Sequence, residues 1–263
     1  MPATALALAL AAAGFHALWN LLLARAPDVE AAAAVALLVA EIAFIPLAVV
    51  VWHADSGVWP WLVGSGLFEL AYFTLLATAY RKAPLSVVYP VARGGAPVLV
   101  LAVSLGTTWL QAGGVLLVVA GVLLVRGLRE ANGIGLALGL AIATCIAGYT
   151  LVDNSGIEHA NPVTYLELSM IGPTVLYAGA VARLKGPGAI RRAVGPATVV
   201  AGLATFVAYG FVLAALSRAS AASVAAVRET SVVVAAALAA IVLKERVGPV
   251  RIAGAVLVVA GVA

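Results

Sequence analysis

The sequence predicts an all-α integral membrane protein of ten transmembrane helices, arranged as two inverted five-helix repeats. Three observations predict it. The 263 residues are 64% hydrophobic and only 10% charged, against about 25% charged in an ordinary soluble domain, and the mean hydropathy is +1.14. Apolar runs follow one another from end to end, and about 20 residues per span plus a short connection divides the chain into roughly ten. The two halves also resemble each other. A transmembrane barrel would need alternating segments of about ten residues, whereas the run 31–52 is apolar on every face.

Breaks at charges, prolines and glycines place the segments in order. The first, 3–24, ends at Arg25; the second and third, 31–52 and 58–79, are separated by His53 and Asp55, and the third ends before Arg81 and Lys82. The fourth and fifth are 85–105 and 109–128, the sixth 133–154 and the seventh 161–182, before the basic stretch Arg183 to Arg192. The last three are 194–216, 220–243 and 248–263, the final one short. The opening MPATALALALAAAG lacks a basic leader and its apolar run continues to Leu23, so it reads as a retained helix rather than a signal peptide. Trp52, Trp59 and Trp61 read as interfacial anchors.

Charge sets the orientation. The net charge of +4 forms no stripe or patch of the kind that binds nucleic acid. Instead, the odd-numbered connections hold twelve of the 15 Lys and Arg residues: Arg25, Arg81, Lys82, Arg126, Arg129, Arg183, Lys185, Arg191, Arg192, Lys244, Arg246 and Arg251. The even-numbered connections hold Arg218 alone. Positive charge collects in cytoplasmic loops, so both termini are expected outside, in a bacterial cytoplasmic (inner) membrane. The single cysteine, Cys145, excludes an internal disulfide and any paired-thiol metal or redox chemistry. No cofactor and no metal are expected.

The repeat is carried by residues that are costly to match by chance. Gly114 to Val122 reads GVLLVVAGV and Gly254 to Val262 reads GAVLVVAGV. Ala71, Tyr72, Leu76, Ala77, Arg81, Ser86 and Val87 recur 137 residues later as Ala208, Tyr209, Leu213, Ala214, Arg218, Ser223 and Val224. Gly14, Phe15 and Asn20 pair with Gly148, Tyr149 and Asn154. Residues 1–130 therefore form one repeat and 131–263 the other, together one transport domain. Five spans per repeat turn the second copy over, which explains Arg218 as the outer partner of inner Arg81. Inverted repeats place a substrate site near the midplane and rock one half against the other.

Charges inside spans are expensive, on the order of 2.5–3.5 kcal/mol each even on the lenient scale. Six lie within the segments: Glu41, Glu69, Arg93, Glu167, Arg228 and Glu229. Buried ion pairing that merely locks helices is one reading for the arginines. Glu41 and Glu167 have no polar neighbours at helical spacing, so a structural role is the simpler reading for them. Polar and aromatic groups three or four apart share a helix face: His16 with Asn20 beside Trp19, Glu69 with Tyr72, Tyr89 with Arg93, Tyr149 with Asp153, Thr205 with Tyr209, and Arg228 with Ser231. Such stripes line a wet cavity. The expected substrate-binding residues are His16, Trp19, Asn20, Glu69, Tyr72, Tyr89, Arg93, Tyr149, Asp153, Tyr209, Arg228 and Glu229, with no catalytic residue. Segments five and ten carry Gly114, Gly121, Gly254 and Gly261 among small apolar residues and read as close-packing helices.

The strings HALWN at His16 to Asn20, AYRKAPLSVVYPVARGGAP at Ala79 to Pro97, AYGFVLAALS at Ala208 to Ser217, and VRETSVVVAAALAAIVLKERVG with its closing GAVLVVAGV resemble the EamA-type family of the drug/metabolite transporter superfamily. The resemblance covers nearly the whole chain and implies a ten-helix, two-repeat carrier for small metabolites, many of its members being exporters. It also implies a Glu-containing turn between segments four and five, like Lys244-Glu245-Arg246 in the second half, where this chain reads SLGTTWLQAGG.

The expected function is a secondary transporter, an exporter or proton-coupled carrier, moving a small polar or zwitterionic metabolite by alternating access, with Glu69 as the first choice for proton coupling. A flippase for lipid-linked cargo on the same fold is the alternative. An intramembrane enzyme is disfavoured by the absence of HExxH, a P-loop or a glycine-flanked serine elbow. The expected partners are a small-molecule substrate and membrane lipid, with no nucleic acid; a homodimer is an open option.

Overall fold

The computed structural model describes residues 1–83, 85–104, 108–126, 133–234, 237 and 248–262. The apolar segments become helices α1 (Ala3–Ala24), α2 (Val29–Val50), α3 (Trp59–Lys82), α4 (Leu85–Val103), α5 (Trp109–Arg126), α6 (Gly133–Gly156), α7 (Pro162–Lys185), α8 (Pro187–Ala193), α9 (Pro196–Leu216), α10 (Ala221–Arg228) and α11 (Pro249–Val262). Six of them, α1, α2, α3, α6, α7 and α9, are long and apolar enough to cross a membrane, while α4, α5 and α11 hold shorter apolar stretches.

Local chemistry sets the helix starts. Asp28 caps α2 by accepting from the Ala31 N–H at 3.1 Å, Asn161 caps α7 by accepting from Val163 at 2.9 Å, and Ser220 caps α10. Prolines open α7, α8 and α9, where the missing N–H has no helical partner to lose. Between α2 and α3, Asp55 accepts from the Gly57 N–H at 2.7 Å and nucleates a single 3₁₀ turn, Ser56–Val58.

Two features differ from the ten-segment reading. The connection after the seventh segment contains α8, seven residues too short to show periodicity; Gly186, at φ 79°, makes the turn into it, a backbone conformation that suits glycine. The ninth segment is interrupted: α10 stops at Arg228, Glu229 closes a tight turn through its N–H to the Ala226 carbonyl at 3.1 Å, and residues 230–234 are helical again. The expected continuation of that segment, the Lys244-Glu245-Arg246 turn, Arg129, and residues 105–107 of the SLGTTWLQAGG stretch lie outside the described residues.

The helices pack through small side chains. α1 lays Ala5, Ala9, Ala12, Ala13 and Ala17 inward and packs against α9; α2 packs on α9 and α7; α3 lies on α6 and α7; α4 lies on α6 and α5. α5 packs against α11 and neither borders the central cavity. Their glycines meet crosswise: a Cβ on Gly114 would stand 2.6 Å from the Gly261 carbonyl oxygen, and one on Gly121 2.5 Å from that of Gly254. Only glycines permit this approach, so the expected close-packing role holds. Large apolar side chains such as Ile42, Val50, Leu67 and Val256 point outward, as lipid contact requires. Trp52 and Trp59 are exposed at the α2–α3 connection, whereas Trp61 packs against the core.

Gly121→Leu should destabilise the purified protein by about 1–3 kcal/mol, as overpacked cores do, while Val256→Leu on the exposed face of α11 should leave the melting temperature unchanged. Equal melting temperatures for the two variants would contradict the close-packed pair.

Candidate functional site

Eight helices leave a central cavity of about 130 Å³ between them. Its wall takes His16, Trp19 and Asn20 from α1, Glu69, Tyr72 and Phe73 from α3, Tyr89 and Arg93 from α4, and Ile142, Ile146 and Tyr149 from α6. The remaining wall comes from Met170 and Tyr177 of α7, Thr205 and Tyr209 of α9, Arg228 of α10, and Glu30 with Leu37 of α2. Ten of the twelve expected site residues thus line one space: His16, Trp19, Asn20, Glu69, Tyr72, Tyr89, Arg93, Tyr149, Tyr209 and Arg228. The other two stand behind the wall. Glu229 is held by Arg93, and Asp153 lies fully buried behind Tyr209.

The two arginines have different surroundings. Arg93 Nη1 lies 3.3 Å from Glu229 Oε1, with both side chains buried, and its guanidinium sits 5.6 Å from the Tyr89 ring centroid. Spacing alone put Tyr89 and Arg93 on one face, and the cation–π contact follows from it. Arg228 has only neutral partners: Nη1 donates to Thr150 Oγ1 at 3.4 Å, Nη2 donates to the Tyr149 hydroxyl at 3.3 Å, and the Tyr149 ring centroid is 5.9 Å away. Among the described residues Arg228 forms no ion pair. Glu69, buried on α3, is within electrostatic reach of Arg228 and of Asp153.

Aromatic rings join these groups. Tyr149 meets Tyr72 and Tyr209 edge-on at 6.3 and 5.8 Å, and Phe73 touches both Tyr72 and Tyr177. Edge-to-face contacts of this kind fix ring orientation. Tyr209 donates to one oxygen of Asp153, and Tyr165 donates to the other at 3.0 Å. On α1, Trp19 Nε1 donates to His16 Nδ1 at 3.2 Å, and Asn20 Nδ2 donates to the His16 carbonyl at 2.8 Å. Asn20 is thereby partly occupied within its own helix.

Several groups fall elsewhere. Glu41 and Glu167 face each other between α2 and α7, where Thr174 donates to Glu41 Oε1 at 3.2 Å, and neither borders the cavity. Ser231 is buried away from it, whereas Thr205 lines it and donates to the Ala201 carbonyl. The sequence count of six charges in spans becomes seven, because Asp153, close to the end of α6, is as buried as the rest. Tyr165 and Thr150 escaped the sequence reading: both have polar neighbours at helical spacing, Asp153 for Thr150 and Ser169 for Tyr165, but the contacts that matter are with other helices, Thr150 with Arg228 and Tyr165 with Asp153.

The cavity reaches one end of the molecule at Glu30. There Arg81 Nη1 and Lys185 Nζ each stand 2.8 Å from Glu30, and Lys185 also lies 2.6 Å from Asp28, tying the ends of α2, α3 and α7 together. The opposite end is capped by an antiparallel bridge between Ala54 and Ala160, with Asp55 N–H donating to the His159 carbonyl at 2.9 Å and Asn161 N–H to the His53 carbonyl at 2.8 Å. An Asp55–His159 contact at 3.1 Å reinforces it. No group of three or more metal-binding side chains occurs among the described residues.

A buried, aromatic-lined cavity with a guanidinium that is in no ion pair among the described residues is a place to bind something, and the sequence from α6 onward says in which kind of protein. Residues 133–263, the second half of the chain, match the EamA-like transporter family. The chain belongs to the EamA-like transporter family. It is accordingly a membrane protein of a transporter family. A crystal structure described only as that of a protein superposes on this EamA-like chain with a TM-score of 0.75 at 17% identity, covering 98% of this chain and 93% of the other. That likeness bears on the fold alone. No curated protein matches the chain.

The Lys185 ammonium beside Asp28 holds its carboxyl below the usual carboxylate range. A carboxyl depressed in the folded state stabilises it above its unfolded value, and that contribution is lost as pH falls through the folded value. Asp28→Asn should therefore melt below wild type at neutral pH, and the gap should close as pH falls below the ordinary carboxylate range. A gap independent of pH would contradict the ion cluster at the cavity mouth.

Proposed function

We propose that the protein is a secondary carrier that moves a small polar or zwitterionic metabolite across a bacterial inner membrane by alternating access. The observation that carries this reading is Arg228: a cation in the cavity wall whose partners are a threonine, a tyrosine hydroxyl and an aromatic face. Carboxylates bear on Arg228 only from beyond ion-pair distance; keeping such a charge without a contacting counter-ion in a low-dielectric site is costly, and a substrate carboxylate would supply the contact. Glu69, in the cavity wall on α3, suits the cationic end of a zwitterion, or a proton exchanged for it. The tyrosines and Trp19 suit the body of the substrate.

The helix contacts support ten spans in two inverted repeats. If α1 to α5 correspond to α6, α7, α9, α10 with its continuation, and α11, then α1 on α9 mirrors α6 on α3, α2 on α9 mirrors α7 on α3, and α4 on α6 mirrors α10 on α1. α2 with α7, and α5 with α11, pair across the axis, as the crossed glycines of α5 and α11 do. The open end carries Arg81, Lys82 and Lys185, which the positive-inside tendency assigns to the cytoplasm. The cavity is then inward-open, and the 54–160 bridge with the Asp153–Tyr165–Tyr209 cluster forms the closed outer side.

A thermal-shift screen of the purified protein against amino acids, organic cations and phosphorylated metabolites tests the class. Amino acids or similar zwitterions should raise the melting temperature of the wild type, and Arg228→Gln should abolish both that rise and uptake into proteoliposomes while folding normally. Stabilisation by organic cations only, or full uptake by Arg228→Gln, would refute the assignment. Glu69→Gln should lose acceleration of uptake by a pH gradient.

A further inference from the structure

We infer that Trp19 is a positioning residue that makes His16 a one-way hydrogen-bond donor to an oxygen atom of the transported molecule; the inference rests on the cavity being the substrate site. The indole N–H has no acceptor capacity, so it can only donate, and it donates to His16 Nδ1 at 3.2 Å. A ring nitrogen that accepts carries no proton. The imidazole is then neutral and its single proton sits on Nε2. The rings meet edge-on, with centroids 4.9 Å apart and an interplanar angle of 80°, which fixes the direction of that N–H as well as the tautomer. Asn20 holds the His16 backbone carbonyl and leaves the ring alone.

Nε2 is buried at the cavity wall and meets no hydrogen-bond acceptor among the described residues. The charged groups that bear on His16 are Arg93 and Arg228, and guanidinium groups are donors only. Three donor groups from α1, α4 and α10 thus border one space. Of their possible counter-charges, Glu229 is spent on Arg93. A buried N–H without a partner is destabilising, so this arrangement makes sense when a ligand oxygen, from a carboxylate or a carbonyl, completes it. An ammonium group has nothing to offer there. The oxygen-bearing end of the substrate therefore faces α1 and α10, and a cationic end, where there is one, faces Glu69 on α3.

The test is nitrogen NMR of imidazole-labelled protein in lipid nanodiscs. The chain has 3 histidines, and His16→Gln identifies the signal of interest. Without ligand, Nδ1 should read as an unprotonated acceptor and Nε2 as protonated; in Trp19→Phe the single tautomer should give way to a mixture. An equimolar mixture of the standard amino acids should move the Nε2 signal, and tetramethylammonium, a cation without oxygen, should not. Trp19→Phe should weaken binding of the amino acids about tenfold, the loss of roughly one charge-assisted hydrogen bond. His16→Gln, whose amide N–H reaches the same place, should bind better than His16→Phe. A proton on Nδ1 in the wild type, or a single tautomer kept in Trp19→Phe, overturns the role of Trp19. Amino acids that raise the melting temperature but leave Nε2 unmoved overturn the contact while sparing the carrier reading; amino acids that do neither overturn both.

Discussion

The Arg93–Glu229 ion pair is the constraint around which the centre of the molecule is arranged. Two opposite charges taken out of water are tolerable only together, so α4 and the turn after α10 must come within hydrogen-bond distance at that level. The break at Glu229 follows from this need. An uninterrupted helix would keep Arg228 and Glu229 about 100° apart with regular geometry, whereas the tightened turn sends Glu229 to Arg93 and leaves Arg228 facing the cavity. Neutralising one guanidinium thereby exposes the other, and the two adjacent residues acquire opposite roles.

The rest of the fold keeps that centre open without losing cohesion. In lipid there is no hydrophobic drive between helices, and association depends on close van der Waals contact. The alanine faces of α1 and α2 and the crossed glycines of α5 and α11 supply it at the periphery. With the tight packing placed there, the interior can afford tyrosines, which fill space, orient one another edge-on and still present hydroxyls. Asp153, gripped by Tyr165 and Tyr209, uses two of those hydroxyls to close the end away from Glu30. The mouth at Glu30 is bordered by exposed ion pairs that are individually weak.

Much of this was legible in the sequence because lipid is an exacting solvent. Apolar length and charge placement located α1 at its observed bounds and most other helices within a few residues. Polar groups at helical spacing identified ten residues that share one cavity, since only residues protected from lipid can be polar. What the sequence withheld concerns partners on other helices. The partners of Tyr165 and Thr150 are Asp153 and Arg228 on other helices, so their roles appear once α7 meets α6 and α6 meets α10. Spacing treated Arg93 and Arg228 alike, and only the three-dimensional arrangement separates the paired one from the unpaired. Glu229, expected among the cavity residues, turns instead to Arg93, since adjacent residues on a helix point in different directions. The short α8 carries too few residues for a periodic signal.

A double-mutant cycle on Arg93 and Glu229, with Arg228→Gln as reference, measures the central asymmetry directly. Arg93→Gln and Glu229→Gln should each cost about 3–5 kcal/mol of stability, because each strands a buried charge. The double variant should recover most of that loss, and Arg228→Gln, which breaks no ion pair among the described residues, should melt close to wild type. Additive losses in the double variant, or an Arg228→Gln protein as unstable as Arg93→Gln, would contradict an account in which one arginine is committed to the fold and the other is kept for a ligand.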